Sequence, residues 1–300
     1  MKHTRHDAIL TGAVEARRLS GLSGAQVFLL TKDGRHWFVR KAATDPAASA
    51  RLRRQAGKQE LLGRQMHELL ATPKILDEGE VDGRYYFDME FVRGPDGMSY
   101  LRRASYAEVS LLCDRLCRYL EAAAAAKPLV CGAHATFFDA LYAKLCEVQR
   151  VTGLISDENL SLLFLALDDL RRVDHLAATL CHGDLTLQNI VVGDEHRLWA
   201  LDLLDSPFEH YWQDVAKLHQ DLSGGWFLLD QPPVSQCVLD YISRRLLEAA
   251  TRLHAGYGCL HALLVASTFV RILPYARTER EIAFVTERID YFARQTAIAG

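Results

Sequence analysis

Asp184, Asn189 and Asp202 are the residues of this chain whose types and order could do chemistry together. The first two lie in Leu180-Cys181-His182-Gly183-Asp184-Leu185-Thr186-Leu187-Gln188-Asn189-Ile190-Val191-Val192. After a polar turn at Gly193-Asp194-Glu195, Leu198-Trp199-Ala200-Leu201 runs into Asp202. The pattern reads as strand, polar loop, strand, turn, and a strand that ends on a carboxylate. Phosphoryl transfer from a nucleotide needs a carboxylate to orient the acceptor hydroxyl and take its proton. It also needs an amide oxygen and a second carboxylate to hold magnesium. Asp184 fits the first role, and Asn189 and Asp202 fit the second. Turn chemistry also uses Asp and Asn in loops, but it does not call for this ordered set of three.

The spacing His-x-Asp-x4-Asn is specific when a strand-borne Asp follows soon after. On His182-Gly183-Asp184-Leu185 and Asn189 the chain resembles the aminoglycoside phosphotransferase and choline kinase family, small-molecule kinases with a protein-kinase-like fold. The resemblance implies an α+β, bilobal protein-kinase-like fold. Residues 1–93 would form a small nucleotide-binding lobe of antiparallel strands plus one helix. Residues 94–300 would form a larger, mainly helical lobe with the catalytic loop and the acceptor site. ATP or GTP would be the co-substrate and Mg2+ the metal.

The elements that must position these residues can be followed along the chain. Three strands are expected over Val14–Leu19, Gln26–Thr31 and His36–Lys41, with Asp33-Gly34 as a hairpin signal. Ser20-Gly21-Leu22-Ser23-Gly24-Ala25 between the first two is small enough for backbone N–H groups to approach phosphates. Ser23 and Gly24 are therefore nucleotide-binding candidates, although a Gly/Ser-rich turn has the same composition. In a kinase-like fold the lysine that contacts the phosphates ends the third strand, and the resemblance puts Lys41 there. Arg40 is its competitor, because a register shift of one residue exchanges the faces.

Asp45-Pro46 reads as a helix start, and a helix is expected from Pro46 to about Leu70. The resemblance asks this helix for an acid to pair with Lys41. Glu60 is the choice and Glu68 the other candidate, while Glu60 could instead pair with Arg64 at i,i+4 on a solvated face. A second hairpin is expected over Ile75–Glu80 and Arg84–Val92 about Asp82-Gly83. Arg93-Gly94-Pro95-Asp96-Gly97 then marks a linker. By the resemblance, Met89-Glu90-Phe91-Val92 passes the adenine ring, which makes Glu90 and Val92 nucleotide-binding candidates.

The remainder is helical. Ser105-Tyr106-Ala107-Glu108 is a capping box, and Pro128 stops its helix. Apolar residues at 3- and 4-spacing continue over Phe137–Val151, Glu158–Leu170, Trp212–Leu222, Val238–Leu253, Cys259–Leu273 and about Glu279–Ala297. Leu203-Leu204, not Phe-Gly, follows Asp202, and no activation segment ending in Ala-Pro-Glu is present. A small acceptor therefore fits better than a protein. The resemblance also gives Asp214 the task of bracing the catalytic loop.

Half of the residues are hydrophobic and a quarter charged, which suits a globular chain. No uninterrupted apolar run approaches the ~20 residues that span a bilayer, and no apolar region follows the basic N-terminus. The seven cysteines are scattered, which suits reduced thiols and a cytoplasmic location. The net charge of −3 makes no general case for nucleic acid. The first 150 residues carry about +5 and the rest about −8.

The expectation is a kinase that moves the γ-phosphoryl group of ATP or GTP to a hydroxyl of a sugar, amino alcohol or related metabolite. A catalytically inactive nucleotide-binding protein and an atypical protein kinase are the alternatives. No nucleic acid, membrane or obligate protein partner is expected. Glu209, Tyr211, Trp212, Asp221, Trp226 and Tyr275, with Asp205, could line an acceptor pocket that suits a neutral or cationic molecule. Such residues are also often core. Arg271 is the one that would favour an anion instead.

Overall fold

A computed structural model describes residues 15–19, 25–127, 136–172, 176–204 and 208–299. Five antiparallel strands form in the spatial order β1-β2-β3-β5-β4. They are β1 Glu15–Leu19, β2 Ala25–Thr31, β3 Trp37–Ala43, β4 Ile75–Val81 and β5 Arg84–Glu90. Asp82 and Gly83 join β4 to β5 with positive φ at both positions, as a two-residue hairpin turn of matching twist requires. β3 runs two residues past Lys41, and β5 stops at Glu90 rather than Val92.

The period of two along β3 decides what each residue faces. Val39 and Ala43 pack with Leu52 and Ala56 of helix α1 (Pro46–Met66) and with Tyr85, Phe87 and Met89. Phe38 and Ala42 pack with Phe28 and Leu30. Lys41 shares the parity of Val39 and Ala43, so it lies on the α1 side, and Arg40 is on the other. Helix α1, Pro46–Met66, starts on the Asp45 cap, whose side chain accepts the Ala48 N–H, and it ends before Leu70.

The chain divides into two compact units, Met1–Pro95 with Val191–Asp205 and Asp96–Ile190 with Ser206–Gly300. The short strands β6 Ile190–Val192 and β7 Leu198–Ala200 pair with each other. Ala71 joins the 191–205 segment to the rest of the first unit: its N–H donates to Leu198 and its carbonyl accepts from Ala200.

Eight helices of the second unit are α2 Gly97–Leu101, α3 Tyr106–Ala125, α4 Phe137–Thr152, α5 Asp157–Arg172, α6 Tyr211–Leu222, α7 Gln236–Leu253, α8 Gly256–Ile272 and α9 Glu279–Ala299. Sequence reading missed α2: Asp96 sits among chain breakers, yet it caps this helix by accepting the Ser99 N–H. The capping box at Ser105 and Glu108 is formed. Gly256–Tyr275 is long and apolar enough to cross a membrane by length and composition. Here α8 is the central helix of its unit, in contact with α4, α5, α6, α7 and α9, which accounts for its apolarity.

Candidate active site

In the second unit, residues 180–186 form no regular strand, unlike the expectation for Leu180-Cys181. The loop takes its shape from hydrogen bonds. Gly183 has φ +88°, a conformation that costs glycine little. The Asp184 N–H donates to His182 Nδ1 at 3.2 Å. A 3-10 turn at Leu187–Asn189 is capped by Thr186 and leads into β6. The Asn189 amide donates to the Asp184 carbonyl at 2.8 Å and to Asp184 Oδ2 at 3.1 Å. Asp184 and Asn189 are thus in direct contact.

Helix α6 supports this loop and is buried at every position. Three of its residues, spaced i, i+3 and i+7, fall on one face. Asp214 accepts the N–H groups of His182 and Gly183, both at 2.8 Å, and the Tyr119 hydroxyl at 2.7 Å. Lys217 pairs with Asp184 Oδ1 at 2.8 Å. Asp221 accepts the Leu187 N–H at 2.8 Å. One helix face therefore grips three successive points of the loop.

Burial alone would raise the Asp184 pKa. The Lys217 charge and hydrogen bond, with His182 and Arg271 nearby, outweigh it and hold Asp184 below the usual carboxylate range. Asp221 goes the other way. Burial pushes it up to about 7, against the Leu187 hydrogen bond and Lys217.

In the first unit, Lys41 is ion-paired with Asp202 Oδ1. Asp202 has φ +60°, an uncommon backbone for a non-glycine residue that recurs at functional sites. Arg40 forms a buried bidentate pair with Asp88, its cross-strand neighbour, at 2.7 and 2.8 Å. Glu60 does not reach Lys41, which corrects the sequence expectation. Its side chain is half exposed and lies 3.6 Å from Arg64, the i,i+4 alternative. The face of α1 on the sheet carries Leu52, Ala56 and Gln59, and Glu60, about 100° round the helix from Gln59, lies at the edge of that face. Glu68, past the helix end, is exposed beside His67. What α1 does bury is Lys58, whose ammonium donates to the Leu204 carbonyl at 2.7 Å, two residues after Asp202.

Glu90 ends β5, and its carboxylate accepts the Lys74 N–H at 3.1 Å. Val92 is half-buried just past the strand. Ser23, Gly24 and Asp205 lie outside the described residues. Tyr211, Trp212, Glu209 and Asp221 are buried, Trp226 packs against Phe284, and Tyr275 is exposed. Four of the six acceptor-pocket candidates among the described residues are thus interior. Trp212 meets His210, His254 and Tyr257 edge-on. Lys217 was missed altogether. Its signal was a set of charges at 3- and 4-spacing in a helix with no exposed face.

Each unit offers, by itself, an oxygen that suits a hard cation. The Asn189 amide nitrogen is spent on Asp184, which leaves its oxygen, and the Lys41 pair leaves Asp202 Oδ2. Among the described residues no three His, Cys, Asp or Glu side chains gather as a metal site. Magnesium needs few protein carboxylates when phosphates supply the remaining oxygens.

A profile of the phosphotransferase enzyme family matches residues 15–257. Curated protein sequences give no significant match. Similar solved structures include a thermostable mutant of aminoglycoside phosphotransferase APH(4)-Ia in its apo form, at 17% identity over 95% of this chain and 96% of that one, with a TM-score of 0.64. A putative fructosamine-3-kinase from Thermobifida fusca YX-ER1 has 17% identity over 95% and 94%, with a TM-score of 0.63. The GDP and kanamycin complex of APH(2")-IIia has 14% identity over 97% of both chains, with a TM-score of 0.65. These likenesses establish the kinase-like fold, and the profile match spans most of the chain, which therefore belongs to the phosphotransferase enzyme family.

Proposed function

We propose that this protein is a small-molecule kinase that transfers the γ-phosphoryl group of ATP or GTP to a hydroxyl of a sugar, amino alcohol or related metabolite. The observation that carries the reading is Asp184. Lys217 holds one of its oxygens, Asn189 holds the other, and its loop is pinned by Asp214. Such a carboxylate stays ionised, keeps one orientation and retains lone pairs for an incoming hydroxyl.

Asp184 orients that hydroxyl and accepts its proton. Asn189 and Asp202 are the residues that would hold magnesium, which neutralises charge on the phosphates when bound. Lys41 is the phosphate contact, and the segment through Glu90 and Val92 meets the nucleotide base. Relatives of the same fold solved with hygromycin B and ADP, and with kanamycin and GDP, support a small hydroxylated acceptor and a nucleotide co-substrate.

The test is nucleotide turnover with magnesium against a panel of sugars, aminoglycosides, choline and amino alcohols, with both ATP and GTP. Acceptor-dependent release of nucleoside diphosphate is expected. Tight nucleotide binding with no turnover above an Asp184→Asn control would favour a non-catalytic nucleotide-binding protein.

A further inference from the structure

In the proposed reaction Lys217 so far only holds Asp184 Oδ1. Lys217 is buried in α6, with a tenth of its side chain exposed. An ammonium has three protons to give. One goes to Asp184 Oδ1 at 2.8 Å and one to Gln220 Oε1 at 2.6 Å. Gln220 is itself buried, so it fixes the direction of the ammonium. Among the described residues the third proton has no acceptor. Buried donors are normally satisfied, and an uncommitted one beside a reactive carboxylate points to a ligand.

The position suits an oxyanion. Residues 180–192 contain no lysine or arginine, so the catalytic loop brings no permanent cation of its own. A hydroxyl bound to Asp184 stands about 2.6–3.2 Å from it, and its oxygen is about 3–3.5 Å from phosphorus before transfer. An ammonium hydrogen-bonded to the same carboxylate is within reach of the phosphoryl oxygens.

We infer that Lys217 is a catalytic residue, supplied from helix α6 rather than from the loop. It fixes Asp184 through Oδ1 and gives its third N–H to an oxygen of the phosphoryl group in transit. The acceptor oxygen forms the new bond to phosphorus, and the bond from phosphorus to the bridging oxygen of the nucleotide breaks. The electron pair leaves with the nucleoside diphosphate, and the hydroxyl proton passes to Asp184. Lys217 exchanges no proton. It stabilises charge on the oxyanion, a task for which loss of one donor costs about 10²–10³-fold in turnover.

The inference rests on the kinase reading, and the experiment separates the two. Turnover is measured with the best acceptor of the panel, or with water. Affinities are measured for the magnesium complex of the nucleoside diphosphate, with and without fluoroaluminate as a mimic of the phosphoryl group in transit. In Lys217→Gln, kcat should fall about 10²-fold, with a matching loss of affinity for the fluoroaluminate complex. Affinity for the diphosphate alone and nucleotide KM should stay within about threefold, and Lys217→Arg should recover part of kcat. A kcat near that of the wild type, or equal losses for both complexes, overturns the assignment.

Should Lys217→Gln alone not fold, Lys217→Gln is placed on Asp184→Asn, where no carboxylate is left unpaired. A further loss of residual turnover is expected there. No further loss would show that Lys217 acts only through Asp184 and not on the phosphoryl group. Wild-type protein that neither binds magnesium–nucleotide nor turns it over would instead fail the kinase reading itself.

Discussion

Lys41 is ion-paired with Asp202, while Arg40, the preceding residue on the same strand, is committed to Asp88 on the opposite face of the sheet. The two basic residues therefore sit in different surroundings, and removing them should have different consequences. Removing Arg40 leaves a buried, uncompensated Asp88, a defect that costs about 3–5 kcal/mol. Arg40→Ala should lower the denaturation midpoint strongly. Lys41→Ala should keep the fold and raise the nucleotide constant or lower turnover. The reverse pattern in paired denaturation and kinetic measurements would put the phosphate contact on Arg40.

Helix α1 supports a second contrast. Glu60 and Arg64 form a half-exposed i,i+4 pair, a type worth about 0.3–0.5 kcal/mol. Lys58 is buried and bonded to the Leu204 carbonyl. Glu60→Ala should leave turnover and stability almost unchanged. Lys58→Met removes the donor to a carbonyl near Asp202 and should destabilise by about 1–3 kcal/mol. A loss of nucleotide affinity in Glu60→Ala would mean that Glu60 reaches Lys41 in the nucleotide complex.

These contrasts show what the sequence made legible. The His-x-Asp-x4-Asn spacing is local, so Asp184 and Asn189 could be paired by counting, and the structure has them in contact. The alternation along β3 is also local, and it separates Lys41 from Arg40. Glu60 is the choice from sequence because it lies well inside the expected helix while Glu68 sits near its end, but which face of a helix packs is decided by the sheet beneath it. Tertiary burial explains Lys217 and Asp221 as well. Charges at 3- and 4-spacing usually mark a solvated stripe, and here every face of α6 is covered. The same burial turned Tyr211 and Trp212 from pocket candidates into core.

Asp184 should be needed for turnover and not for nucleotide binding. Asp184→Asn keeps the shape of the side chain but loses the proton acceptor. Turnover should fall by at least ~10²-fold, the low end for general base catalysis, with nucleotide affinity little changed. Near-normal turnover would remove the residue from its role.

Metal dependence tests Asp202. If it ligates magnesium together with nucleotide phosphates, Asp202→Ala should weaken nucleotide binding in magnesium buffer and barely alter it in EDTA. Equal losses in the two buffers would leave Asp202 only its pair with Lys41.

Asp221 gives the stability of the protein a pH signature. Its carboxyl is pushed from the ordinary 3.8 up to about 7 by burial. Between those two values the folded chain holds a proton that the unfolded chain has released. Stability from this group is therefore fully present below about pH 4. It is lost as pH rises toward 7, at up to about 1.4 kcal/mol per pH unit, and is flat beyond. Asp221→Asn can still accept the Leu187 N–H through its amide oxygen, but it does not titrate. The amide nitrogen would take the place of Asp221 Oδ1, which has no hydrogen-bond partner among the described residues. Whatever that substitution costs is independent of pH, and so cancels when the same pair of proteins is compared at two pH values. Denaturant unfolding at pH 5 and pH 8 should show Asp221→Asn gaining on the wild type by a few kcal/mol at the higher pH. A mutant-minus-wild-type difference that is the same at both pH values would mean that Asp221 is ionised throughout, with Lys217 shared between two carboxylates.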